Sequence, residues 1–371
     1  MDSAVTVKSN SGRIMSVDAL RGFDMFWIIG GRELLIAAAA VIADPVPKWF
    51  TRQLHHEAWT GFTAWDLIMP LFLFIVGVAM PFSFAKRIEQ GHSKLSLHGR
   101  LVKRFVVLFL LGMIAQCHLL EFDLSRLTII NNTLQAIAVG YLVSGVILLH
   151  ARVVGQIVAT LVLLVGYWLL MTQVPFPAHE AGVMQPNVNL AAYVDQLVMG
   201  TYRSPAPYTW VLSSLTFSAT VLLGVLAGSV LQSSRGANKK LWTLVATGLG
   251  CLAVGWIWGY WFPINKHLWT SSMVLWANGW NCLLLALFYW IIDMRGYRRW
   301  AFPLVVIGSN AIAVYMATRL FDFRLIGDVF VQGLVRHASP HTGEFIRASA
   351  AIAVVWLILL YMYCKKTFLR V

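Results

Sequence analysis

Residues 64–84, AWDLIMPLFLFIVGVAMPFSF, hold a single charged group, Asp66. A helix needs roughly 20 mainly apolar residues to cross a bilayer, and this stretch meets that length. Comparable runs lie on either side of it, near 17–42, 101–120, 128–149, 153–173, 210–232, 241–262, 270–292, 301–321 and 347–364. Apolar residues make up 58% of the chain and charged residues 12%, about half the charged share of an average soluble domain. Lipid is the simplest solvent for so much apolar surface. The expected fold class is therefore all-α: a polytopic membrane protein built as a bundle of about ten transmembrane helices. A polar tail over 1–15, without the apolar core of a signal peptide, would precede one membrane domain over 16–371.

The net charge of +13 invites a nucleic-acid partner, but its distribution argues against one. Basic residues sit in short clusters between apolar runs, as the positive-inside rule requires. Loops on the amino-terminal side carry Lys86 with Arg87, Lys239 with Lys240, Arg298 with Arg299, and Lys365 with Lys366. The opposite loops carry only the scattered Lys48, Arg52, Arg126, Arg203, Lys266, Arg324 and Arg336. Both termini are thus expected in the cytoplasm. Three noncytoplasmic segments, 43–63, 174–209 and 322–346, are then long enough to build a site, and NLAAYVDQLVMG in the second reads as a short amphipathic helix. Cys117, Cys251, Cys282 and Cys364 fall inside apolar runs without paired spacing, which points to buried thiols rather than disulfides or a zinc site.

Ionisable groups within a span are costly unless paired or wet, so they are functional candidates. The first span carries Asp18, Arg21, Asp24, Arg32 and Glu33. Asp18 and Arg21, three apart, share a helix face and can pair; Gly30 and Gly31 allow the helix to loosen. The next segment, QLHHEAWTGFTAWDLIMP, gathers His55, His56, Glu57, Trp59 and Asp66 at the mouth of a helix. Such a group supplies a base or nucleophile, a carboxylate to orient it and an aromatic surface for a sugar or acyl chain. Adjacent histidines diverge on regular backbone and no third ligand is apparent by spacing, so no metal is expected. Lys266 and His267 face the same side as His56. Gln135 lies at the start of the fourth span and Asn310 in the ninth, while Asn278 and Asn281 suit helix association. Gly224 and Gly228, in GVLAG, suit close packing. No phosphate-cradling glycine loop, GxSxG elbow or dinucleotide fingerprint is present.

Taken in order, SVDALRGFDMF, HHEAWTGFTAWDLIMPLFLFIVGVAMPFS, NLAAYVDQL, LLGVLAG, NKHLWTSSMVL and VIGSNAIAVY resemble the transmembrane acyltransferase family of heparan-α-glucosaminide N-acetyltransferase, and its bacterial branch in particular. The resemblance implies transfer of an acetyl group from cytosolic acetyl-CoA, as co-substrate, to an amino sugar of terminal glucosamine type on the noncytoplasmic side. It implies no metal, allows a homodimer, and suggests a bacterial inner membrane. His56, Trp59 and Gly61 meet the family's His-x-x-Trp-x-Gly motif, which carries its catalytic histidine. Asp18 and Arg21 match the opening motif, Asp66 the second-span aspartate, and Asn310 the amide of the penultimate span.

Three positions depart from the family. Gly30, Gly31, Arg32 and Glu33 stand near where many members carry an asparagine. Leu134-Gln135-Ala136 lacks the arginine of Leu-Gln-Arg, and Pro207-Tyr208-Thr209-Trp210 replaces Asp-Pro-Glu-Gly. These bear on the acceptor, whose candidate ligands are Asp18, Arg21, Arg32, Glu33, Trp59, Asp66, Gln135, Lys266 and Asn310. A histidine made neutral by burial would act as base in direct transfer, or would itself carry the acetyl group. An alternative is a transporter of N-acetylglucosamine or related sugars, with the buried charges as its route.

Overall fold

The structure is a computed structural model that describes residues 14–116, 123 and 126–369. The tail expected over 1–15, save its last two residues, lies outside the described residues, as does Cys117. Among the described residues eight helices are long and apolar enough to cross a membrane, or nine if the bent pair Arg299–Ser309 and Ala311–Leu320 forms one span. The eight are Met15–Ile42, Ala64–Glu89, Thr133–His150, Val153–Gln173, Ser214–Gln232, Ala237–Trp258, Ser271–Met294 and Pro340–Cys364. The expected third span corresponds to the Lys94–Ile114 helix, which packs on Thr133–His150. Its first half carries Lys94, Arg100, Lys103 and Arg104, which makes it less apolar than the rest. The extended structure is a hairpin pairing Met184–Gln185 with Val188–Asn189. The chain is an all-α polytopic membrane protein.

The first span is not a uniform helix. Met15–Phe26 and Arg32–Ile42 are joined by a kink over Trp27–Gly31, where Gly30 leaves helical geometry at φ +130°. That backbone region is open to glycine and strained for other residues. The loosening expected at Gly30 and Gly31 is therefore present, and it aims Arg32 and Glu33 independently of Asp18 and Arg21.

The segment 322–346, expected on the noncytoplasmic side and long enough to build a site, is mostly helical. Asp322 accepts from the Arg324 and Leu325 N–H groups and starts a helix over Phe323–Arg336. Ser339 then accepts from the Thr342 N–H and starts the Pro340–Cys364 helix. The two pack so closely at Gly327 that a Cβ there would lie 2.8 Å from the Ala351 nitrogen. Capping at both helix starts satisfies orphan N–H groups, so a helical pair forms here. The ninth region breaks by 65° at Asn310.

Close approach of backbones holds the centre. The Ile68–Glu89 and Ser214–Gln232 helices meet at Gly77, Gly224 and Gly228. A Cβ on Gly224 would lie 2.1 Å from the Phe74 carbonyl oxygen, and one on Gly228 would lie 2.3 Å from that of Val78. GVLAG is a packing face, as expected, and lets two helices approach at backbone distance in lipid. This fixes the height of the Ile68–Glu89 helix and of the loop leading into it. At one end of the bundle that loop meets the connections beyond 173 and 258. The Gly61 N–H donates to the Ile264 carbonyl (2.9 Å), the Trp59 indole N–H to that of Met184 (3.0 Å), and the Thr209 N–H to that of His267 (3.0 Å).

Gly224→Leu is expected to cost at least about 2 kcal/mol through overpacking, with loss of the folded protein from detergent extracts. Gly99→Ala, where a Cβ meets nothing within 4 Å, is expected to be neutral or to stabilise by up to about 1 kcal/mol. Fluorescence-detected size exclusion and melting temperature measure both.

Candidate active site

The loop before the Ile68–Glu89 helix is shaped by one carboxylate. Thr63 and Asp66 form a capping box at the Ala64–Leu67 turn, in which Asp66 Oδ2 accepts from the Thr63 N–H at 3.1 Å. The same oxygen accepts from the Glu57 N–H at 3.2 Å. The Thr63 hydroxyl lies between Asp66 Oδ2 (3.0 Å) and the His55 carbonyl oxygen (2.7 Å). Asp66 is 1% exposed, a position a carboxylate tolerates only with such donors around it. Gly61, at φ +129°, makes the bend that returns the chain from Glu57 to Asp66.

The other oxygen, Asp66 Oδ1, lies 2.7 Å from His56 Nδ1 and 3.4 Å from Lys266 Nζ, and Lys266 Nζ is 3.1 Å from His56 Nδ1. Nδ1 carries at most one proton. A carboxylate only accepts, so the short contact is Nδ1–H donating to Asp66. Lys266 then donates to Asp66 as well, and its approach to Nδ1 is a contact rather than a second hydrogen bond. This assignment leaves the Nε2 lone pair free, and the His56 side chain is 44% exposed. The burial expected of His56 is thus not found; its neighbours from the 259–270 connection are buried instead. Lys266 is 5% exposed, and burial lowers its pKa to about 8 against the opposing pull of Asp66. Burial, reinforced by the Lys266 charge, lowers that of His267 to about 4.

Aromatic groups close around these side chains. His267 is stacked on Trp59 (ring centroids 5.2 Å, 26°) and lies against Tyr208 (4.5 Å, 31°). Tyr208 comes from the Pro207–Trp210 stretch that departs from the family pattern. Asp195 holds that stretch in place, accepting from the Trp210 and Val211 N–H groups at 2.9 and 2.8 Å. On the other flank Trp65 lies 6.2 Å from the His56 ring, with the Arg32 guanidinium 4.8 Å above its own ring. Arg32 pairs with Glu33 at 2.7 Å.

The structure therefore brings together His56, Asp66, Lys266 and Trp59, with Arg32 and Glu33 joined through Trp65. It does not bring in the other four candidates. Asp18 and Arg21 pair at 3.4 Å, about 20 Å along the first span from Arg32 by helix rise. Gln135, in the first turn of the Thr133–His150 helix, bonds to the loop before it, donating to the Ile129 carbonyl and accepting from the Asn131 N–H. Asn310 binds the carboxy-terminal tail, donating to the Thr367 carbonyl and accepting from the Leu369 N–H. Glu57 pairs with Arg52 rather than with a histidine, and His55 turns away to the Thr51 carbonyl. Tyr208 escaped the sequence reading; the only signal for it was its place in a departing motif. Among the described residues no group of three or more metal-ligating side chains occurs.

Residues 13–146 match the family described as "Domain of unknown function (DUF5009)". The chain is 25% identical over 425 residues to human heparan-alpha-glucosaminide N-acetyltransferase, covering 97% of this chain and 60% of that protein. It is likewise 25% identical over 431 residues to the mouse protein of the same name, covering 99% of this chain and 62% of that one. The chain thus spans less than two thirds of the length of these curated relatives. The similarity supports the transmembrane acyltransferase resemblance read from the motifs.

Between about pH 8 and 10.5 the unfolded chain binds a proton on Lys266 that the folded protein does not. Stability contributed at this site therefore rises with pH across that window. Melting temperature of the purified protein against pH is expected to show the rise, and Lys266→Met to lack it.

Proposed function

We propose that the chain is a transmembrane N-acetyltransferase that moves an acetyl group from cytosolic acetyl-CoA to an amino sugar on the noncytoplasmic side. The observation that carries this reading is the buried Asp66 carboxylate holding the Nδ1–H of His56, with Nε2 open at one end of the bundle. A carboxylate on Nδ1 fixes the tautomer and orients the ring. Nε2 then takes a proton from the acceptor amine as nitrogen attacks the thioester carbonyl. The C–S bond breaks, the acetyl group passes to nitrogen, and the imidazolium returns the proton to the departing thiolate. Protons and charge balance without an acetyl-histidine, and the direct route leaves no reactive acyl group beside water. The buried Lys266 ammonium balances Asp66 and so keeps that carboxylate available to His56. Trp59 is tied to Met184 and stacked on His267, which favours a role in shaping the acceptor mouth.

The positive-inside distribution supports cytoplasmic termini, and the motif pattern supports the bacterial branch and an inner membrane. The similarity of names supports a glucosamine-type acceptor.

Purified protein given acetyl-CoA and glucosamine is expected to release coenzyme A. His56→Ala and Asp66→Asn are each expected to slow release by at least about 100-fold, the loss typical for a positioned base. No release by wild type with any amino sugar tested, or full activity in His56→Ala, would sink the proposal; sugar uptake by proteoliposomes without coenzyme A would favour transport. Single cysteines at the Lys48 and Lys94 positions are expected to label from opposite sides of the membrane, and labelling from one side would refute the topology.

A further inference from the structure

The Ile68–Glu89 helix carries the Asp66 network before its start, and its far end leads through a short loop to a second cluster of titratable groups. There His98, in the second turn of the Lys94–Ile114 helix, meets His150, the last residue of the Thr133–His150 helix. Their Nε2 atoms are 3.1 Å apart. The intervening helix of 22 residues sets this pair about 33 Å from the proposed reaction centre by helix rise. Gly145 makes the meeting possible. A Cβ there would lie 2.3 Å from Leu101 Cδ2, so the two helices close on each other about a turn away from the histidines.

The partners of the pair set its protons. His98 Nδ1 lies 2.8 Å from the Lys94 carbonyl oxygen, which only accepts, so Nδ1 carries the proton and Nε2 presents its lone pair. A hydrogen bond of this kind fixes the tautomer and aim of a metal-ligating histidine. As the rings stand, the His150 Nε2–H donates to that lone pair. His150 is exposed, so its proton can move to Nδ1, where water accepts it. Two Nε2 lone pairs then face one point without loss of a proton from the protein. The ring centroids are 5.1 Å apart, which makes the two Nε2 atoms the facing edges of the rings. Two nitrogens bound to one ion at about 2.0–2.1 Å lie about 2.9 Å apart at a right angle and about 3.3 Å apart at the tetrahedral angle. The observed 3.1 Å falls between these.

The surrounding charge decides which ions qualify. The charged residues within four positions of either histidine are Lys94, Arg100 and Arg152, all of them cationic. Hard cations such as Mg2+ and Ca2+ seek carboxylate oxygen and find none among these neighbours. Imidazole nitrogen suits Zn2+, Ni2+ and Cu2+, whose bonds to it do not require a negative site. We propose that His98 and His150 form a two-histidine clamp for a divalent transition-metal ion, with water filling the remaining positions. The clamp ties the start of the Lys94–Ile114 helix to the end of the Thr133–His150 helix. An ion bound only by the folded pair stabilises that packing by mass action. Neither histidine takes part in the chemistry proposed at His56, so the site does not depend on that reading.

Full-length protein purified without a polyhistidine tag is titrated with Zn2+ or Mg2+, and bound metal and melting temperature are followed. Zn2+ is expected to bind saturably and raise the melting temperature, and Mg2+ to leave it unchanged. His98→Ala and His150→Ala are each expected to weaken Zn2+ binding by at least about tenfold, since losing even an outer partner of a metal ligand costs that much. The double variant is expected to lose little more than either single one, because the two ligands act as a unit. His92→Ala, in the loop before the helix, is expected to bind as wild type does. Cu2+ bound to wild type is expected to show electron paramagnetic resonance splitting from two nitrogens, a readout that needs no variant. Splitting from a single nitrogen, no saturable Zn2+ binding, unchanged affinity in either single variant, or an equal loss in His92→Ala would each overturn the proposal.

Discussion

A carboxylate at 1% exposure survives only if its surroundings are built for it, and much of this protein's polar architecture is built for Asp66. Two backbone N–H groups from Glu57 and Thr63, the Thr63 hydroxyl, the His56 imidazole and the Lys266 ammonium converge on its two oxygens. Breaking such a buried pair by removing one partner leaves an uncompensated charge, which is far costlier than the pair is favourable. The constraint runs outward from there. Lys266 must come from a connection that is far away in sequence, so the helices ending at Trp258 and starting at Ser271 must present that connection beside His56. The Gly61–Ile264 hydrogen bond and the Trp59–His267 stack hold the two loops in register.

That register would be lost if the helix carrying Asp66 slid along its neighbours. Lipid provides little hydrophobic drive between helices, so position is set by close packing. Gly77, Gly224 and Gly228 provide it, placing backbone against backbone where any side chain would force the helices apart. The carboxylate network and the glycine seam therefore act on the same helix from its end and from its flank. One sets which groups meet, and the other sets the height at which they do so.

How much of this was legible in the sequence follows from distance along the chain. The 64–84 run, the Asp18–Arg21 pair, the loosened Gly30–Gly31 turn and the glycine face of the Ser214–Gln232 helix were all readable, because each depends on spacing within one helix. His56 and Asp66, ten residues apart in one loop, were readable as candidates for the same reason. The closeness of Lys266 to His56 was legible only as a shared side of the membrane, since 210 residues separate them. Tyr208 depends on Asp195 fixing an irregular stretch, which leaves no periodic trace. The helices of segment 322–346 were not legible because two caps and a glycine contact, rather than apolar length, make them. Burial was misassigned as well: His56 stands at the mouth, while Lys266 and His267 are the groups enclosed.

The kink at Trp27–Gly31 has a further meaning when the first span is viewed down its axis. Gly30 has non-helical φ/ψ, so the regular advance of about 3.6 residues per turn is not carried through it. The two halves of the span are therefore out of phase with each other. Gly22 on the first half lies against the Phe302–Ser309 helix, whereas Arg32 on the second addresses Trp65. A single polypeptide segment thus serves two neighbours on different bearings, with Gly30 as the point where its angular setting is reset.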